Sequence, residues 1–146
     1  MVKLDQQLTQ HFSLKEFIKS ATAEKNNIEN IPKPQHIHNM RLLCKYVLEP
    51  LREVFGPITI TSGFRSPYLN ITVGGTFLSQ HTKGEAADIR IGTSERGKRM
   101  FQWIKDNLLF DQLIFERSTR TGAIWLHVSF KSDKKLNRKD AKTIVI

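Results

Sequence analysis

Apolar residues recur at Ile37, Met40, Leu43, Cys44, Val47, Leu51, Val54 and Phe55. Steps of three and four residues predict a helix over 35–55. Pro50 predicts a kink or break inside it, and Gly56-Pro57 an end. Ser13-Leu14-Lys15-Glu16 reads as a capping box that opens an earlier helix, running to about Glu24. A third helix starts from a cap at Ser94 and runs to about Leu108, turning Met100, Phe101, Ile104 and Leu108 inward. Elsewhere the pattern is strand-like: 58–61, 86–91, 112–116 and 124–130, with a small edge strand over 143–146. Residues 62–80, punctuated by Pro67, Asn70, Gly74 and Gly75, read as a loop. Helices come first and a mostly β half follows with one helix inserted, which is an α+β order.

Polar residues that interrupt the strand-like runs carry the chemical signal. In Ile124-Trp125-Leu126-His127-Val128-Ser129-Phe130, alternation puts Leu126, Val128 and Phe130 on the core face. Trp125, His127 and Ser129 share the other face. His127 is there a metal ligand, a general base, or a half-buried histidine with one hydrogen bond. Asp88 stands in the apolar run Ala86-Ala87-Asp88-Ile89, where an ionised carboxylate is costly unless paired or bound to a metal. Seven residues earlier is His81, and Gly84 lets the intervening loop double back. Two imidazoles and a carboxylate form a common catalytic zinc set with a fourth position open for water. Arg65, at the end of a strand in Thr61-Ser62-Gly63-Phe64-Arg65, can grip a carboxylate or carbonyl in bidentate fashion, or tie down its own loop. His11, His36 and His38 read as surface or capping residues.

Length and charge narrow the field. A chain of 146 residues suits one domain, 1–146, with a basic tail from about 131. The net charge of +9 points to an anionic partner such as nucleic acid, an anionic membrane or the acidic polymers of a bacterial envelope. No nucleic-acid motif accompanies the charge, and the tail (Lys131, Lys134, Lys135, Arg138, Lys139) reads as a solvated, partly disordered end. Nucleic acid is therefore not expected as the main partner. The single cysteine, Cys44, rules out an intrachain disulfide and reads as a buried thiol. No apolar run is long enough for a membrane span. The opening MVKLDQQLTQHF has no hydrophobic signal region, so synthesis in the cytoplasm without a signal peptide is expected.

The segments SGFRSPYLN, VGG, SQHTKGEAADI, DQLIFE and WLHVSF resemble the zinc D-Ala-D-Ala carboxypeptidase family. The likeness is to its small branch found in bacteriophages and prophages. The vancomycin-resistance D,D-dipeptidases and phage L-alanyl-D-glutamate endolysins are more distant members. FSLKEF and VLEPLREVFG before ITITSGFRS fit the same branch, so the resemblance covers roughly 8–131. It implies a small antiparallel sheet with N-terminal helices, shared with hedgehog-type domains. It implies one zinc ion per chain held by His81, Asp88 and His127, Arg65 on the scissile carbonyl or the substrate, and Ser79 in the substrate pocket. The implied substrates are the D-amino-acid-containing stem peptides of peptidoglycan, with the anionic cell-wall surface as a further partner. Action on the wall after lysis-type release, or as a virion component, goes with that branch.

One position departs from the family. In the dipeptidase and endolysin branches an acid three residues before the last histidine is the general base, and here that residue is Ile124. Glu116, at the end of the preceding strand, is the expected substitute, provided the two strands pair as a hairpin. Asp111 and Gln112 read as structural, and Glu85 points away from Asp88 in an extended segment. The expected activity is a zinc peptidase, carboxypeptidase or endolysin-type endopeptidase. The alternative is a catalytically inactive phage structural or wall-binding module of the same fold.

Overall fold

The computed structural model describes residues 2–146. Helix α1 (Leu14–Ile18) opens with the expected capping box. Ser13 Oγ accepts from Glu16 N, and the Glu16 carboxylate accepts from Ser13 N at 2.6 Å. The helix does not reach Glu24. It stops at Lys19, and Ser20 caps a separate α2 (Ala21–Lys25) by accepting from Ala23 N. A serine side chain competes for backbone N–H groups, so one in mid-run starts a new helix more readily than it continues an old one.

The long helical path over 34–55 is unbroken. It comprises α3 (Pro34–Leu43), a π turn (Cys44–Leu48) and α4 (Glu49–Phe55). Pro50 does not break it. The π turn widens the backbone by one residue, with Glu49 N donating to Cys44 O, and Pro50 falls in the first turn of α4, where its missing N–H costs least. Cys44 is fully buried, and that burial pushes its thiol pKa far up.

Strands β1 (Ile60–Ser62), β2 (Ala86–Ile89), β3 (Gln112–Arg117), β4 (Ile124–Ser129) and β5 (Asp140–Val145) form one sheet in the order β1-β2-β4-β3-β5. All pairings are antiparallel except β3 with β5. Helix α6 (Ser94–Asn107) is capped by Thr93 rather than Ser94. One sheet face carries Ala87, Ile89, Leu113, Phe115, Leu126 and Val128, which join Met40, Leu43, Leu51, Met100 and Ile104 of the helices in the core. Directly paired residues share a face, so Asp88, His127 and Ile114 lie in one row of the opposite face, with Trp125 and Glu116 in the next.

Two expectations are corrected. The segment 62–80 is not all loop, since Ser66 caps and Pro67 opens a short α5 (Pro67–Thr72). Nor is the basic tail partly disordered, although most of its residues are solvent-exposed. Asp111 is fully buried, and the Arg138 guanidinium grips both its oxygens at 3.0 and 2.8 Å. The Arg138 backbone N–H donates to the same carboxylate, and Lys131 Nζ lies 3.9 Å away. That tie delivers the chain into β5 beside β3. The stretch has more cations than acids, but a buried carboxylate that needs a permanent counter-charge fixes its path.

Candidate metal centre

Neighbouring antiparallel strands set two of the candidate ligands. Asp88 on β2 is the register partner of His127 on β4, and Asp88 Oδ1 lies 3.0 Å from His127 Nδ1. The third, His81, comes from a 3-10 turn (Gln80–Lys83) that precedes β2. Ser79 Oγ caps that turn by accepting from His81 N at 3.2 Å. Gly84 closes it in the left-handed conformation, φ 74°, so close to α3 that a Cβ there would stand 2.4 Å from the His36 carbonyl oxygen. Asn39 on α3 donates to Lys83 O at 2.9 Å and braces the same turn.

The His81 ring is buried, and its Nδ1–H donates to Gly63 O at 2.7 Å. That bond selects the tautomer with a lone pair on Nε2, the atom 3.5 Å from Asp88 Oδ1. One donor atom from each of His81, Asp88 and His127 lies within 4.8 Å of the others. Two imidazole nitrogens and a carboxylate oxygen at this spacing suit zinc and other transition ions. Burial pushes the Asp88 carboxyl up, but with the rings protonated the charge of His81 and hydrogen bonds from His127 and His81 outweigh it, so Asp88 stays well below the usual carboxylate range. The donor set thus keeps its anion, as metal binding requires.

Arg65 and Glu116 both lie near enough to Asp88 for its charge to act on them. Arg65 is half-buried, and desolvation lowers its pKa against the pull of Asp88 and Glu116. Its buried Nε has no hydrogen-bond partner among the described residues. Its backbone N–H donates to His81 O at 3.1 Å, linking the arginine loop to the histidine turn. The β3–β4 hairpin does form, and it pairs Glu116 with Trp125, one step along from His127. Burial and the negative charge of Asp88 raise the Glu116 carboxyl, while His127, the Trp125 indole and Arg65 pull it down. The indole N–H leans on that carboxylate without reaching a formed hydrogen bond. Ile124, at the family's acid position, pairs with Arg117 at the hairpin end.

The other candidates separate from this group. His11 binds Glu49 at 2.6 Å, and His36 Nδ1 accepts from Lys33 N and stacks on Phe64. Glu85 accepts from Gln80. Clefts of about 540 and 630 Å³, one beside α1 and α2 and one beside His11 and Glu49, contain none of the centre's residues. Side-chain exposures of 19% for Asp88 and 13% for His127 make the centre a shallow, solvent-reachable one. Sequence reasoning missed the Gly63 carbonyl and the bracing role of Asn39. A backbone oxygen carries no side-chain signal, and an asparagine in a helix has nothing to mark its distant acceptor.

Comparison with known proteins gives two findings. The family model described as Peptidase M15 matches residues 10–128. A zinc D-Ala-D-Ala carboxypeptidase of Streptomyces albus G is 41% identical over 54 residues, which is 36% of this chain and 21% of that protein. The match therefore spans about a fifth of the relative's length.

Proposed function

The chain belongs to the peptidase M15 family, and on that premise we propose that it is a zinc-dependent peptidase cleaving D-amino-acid-containing peptide bonds of bacterial peptidoglycan. The observation that carries the reading is the convergence of His81, Asp88 and His127 donors within 4.8 Å, with Arg65 and Glu116 near enough to interact electrostatically with Asp88. The named relative adds the substrate class, a peptide ending in D-Ala-D-Ala.

His81, Asp88 and His127 would hold the ion. When bound, it supplies Lewis acidity and a water that deprotonates near neutral pH. Glu116 takes the proton from the attacking water and delivers it to the leaving amine. Its raised pKa suits a group that must both accept and donate. Arg65 stabilises the charge that develops on the carbonyl oxygen, with its desolvated guanidinium prepaid in the folded state. The Gly63 carbonyl holds the His81 ring in the ligating tautomer. Ser79 acts here as a cap that shapes the histidine turn and lines the approach to it.

The test is metal content and hydrolysis measured together. Purified parent protein should contain zinc and release D-alanine from a peptide ending in D-Ala-D-Ala, and His81→Ala should lose both. Release of a larger fragment from whole peptidoglycan instead of D-alanine would assign an endolysin-type endopeptidase. A metal-loaded parent that cleaves neither substrate would favour the inactive wall-binding module.

A further inference from the structure

Between α5 and the histidine turn, the chain places large apolar side chains where turn chemistry asks for polar ones. Ser79 N donates to Thr76 O at 3.1 Å and closes a turn whose two central residues are Phe77 and Leu78. Those positions ordinarily hold Gly, Asn, Asp, Ser or Pro. Phe77 is 94% exposed and Leu78 77%. The neighbouring helix α5 adds Tyr68 and Ile71, three residues apart on one face and exposed at 68% and 73%. Large apolar side chains this exposed, on two elements next to each other in the chain, point to an interaction site.

The turn is pinned at its base. Asn70 is buried, and its Nδ2 donates to Thr76 O at 2.8 Å. Gly75 N donates to Asn70 O at 2.8 Å, and a Cβ on Gly75 would fall 2.1 Å from Asn70 Oδ1. The apex is therefore held outward by its own anchors. Its two flanks are site residues, Arg65 before α5 and Ser79 after the turn. Phe77 and Leu78 lie four and three residues before His81, so their Cα atoms stand within about 14 and 11 Å of the histidine's. An extended peptide crossing the centre advances about 3.4 Å per residue, so these separations span at most about three to four of its residues.

Charge indicates what covers the patch. Between Arg65 and Lys83 the chain has no Lys, Arg, Asp or Glu, although the whole protein carries +9. An element for a lipid surface or a polyanion would pair apolar residues with nearby cations. We infer that the Phe77–Leu78 turn is a substrate-contacting element that packs on the alanine methyl groups and backbone of the stem peptide and sets the enzyme's preference for small apolar residues next to the cleaved bond. The inference rests on the peptidase reading and names the subsite of the same centre.

The test compares the parent with the double variant Phe77→Ser/Leu78→Ser, whose serines suit a turn and leave its anchors in place. Metal content should be unchanged in the variant. With a peptide ending in D-Ala-D-Ala, KM should rise about tenfold, equivalent to about 1.4 kcal/mol, while kcat changes little. Binding of the metal-free proteins to purified peptidoglycan, in salt high enough to screen the basic surface, should weaken by a similar factor. Equal KM and equal binding overturn the inference. Parent binding to anionic lipid vesicles that the variant loses, with KM unchanged, also overturns it and assigns the turn to a membrane surface. Loop-dependent peptidoglycan binding without hydrolysis removes the peptidase reading, and overturns with it the cleavage-site preference that rests on it.

Discussion

Asp88 and Asp111 are both aspartates at the apolar edge of a strand run, both shielded, and both held below the usual carboxylate range. Their partners differ. Burial works against the Asp111 anion, and Arg138 outweighs it with two side-chain hydrogen bonds, a backbone hydrogen bond and a permanent charge, helped by Lys131. Nothing further is needed there, and the carboxylate serves as a clamp that ties the tail to the sheet. Asp88 has two imidazoles instead. Imidazole becomes neutral near physiological pH and then offers a lone pair rather than a charge. A protonated imidazole supports the carboxylate as a guanidinium does, but unlike a guanidinium it can give up its proton and offer a lone pair to a cation. A shielded acid is thus a structural tie where its partners are permanent cations, and a candidate metal ligand where they can give up their protons.

The sharpest way to break this comparison is at His127. His127→Ala should weaken metal binding by more than about 100-fold, since even the outer partners of metal ligands are worth 10–100-fold, and should reduce hydrolysis to background. Far-UV circular dichroism should stay that of the parent, because the ring lies on the face away from the core. Retained activity would sink the ligand assignment. Next in size, Glu116→Gln should keep the metal and lower kcat by about 10²–10⁴, the usual worth of a positioned acid or base. An unchanged rate would put the base elsewhere. Asp111→Ala should do the converse of both. It should leave metal content and kcat alone and cost about 2 kcal/mol of stability through the lost charge-assisted hydrogen bonds, since Arg138 itself is half exposed, read as a fall in Tm of about 6 °C.

The smallest effect is one of pH. Because the Asp111 pKa is depressed in the folded protein, its contribution is full above the ordinary carboxylate value near 4 and fades as pH falls through the lower native value. The Tm gap between parent and Asp111→Ala should therefore be constant at neutral pH and narrow in acid. A gap that persists undiminished to about pH 2 would show that packing, not the ion pair, makes the tie.

Residue types and spacings made much of this protein legible. The capping box at Ser13, the apolar periodicity over 35–55 and the alternation of 124–130 each rest on neighbours a few positions away, and each forms, the second without the break expected at Pro50. Where a local signal was overlooked, the element was misjudged, as with Ser20 splitting the first helix and Ser66-Pro67 opening α5. Asp88 and His127 stood out because each was a polar residue out of place in a strand pattern.

The sequence by itself determined which groups were available: two imidazoles, an anion set in an apolar run, an arginine before a turn, and an acid where the hairpin could bring it. Tertiary structure decided the rest. The Asp88–His127 register depends on β2 and β4 being neighbours 39 residues apart. The His81 tautomer depends on a carbonyl 18 residues away. The ordered tail depends on a carboxylate 27 residues before Arg138. Hydrogen bonds and ion pairs act over a few ångströms of space, so their partners are set by how strands and loops are laid side by side, and separation along the chain does not encode that.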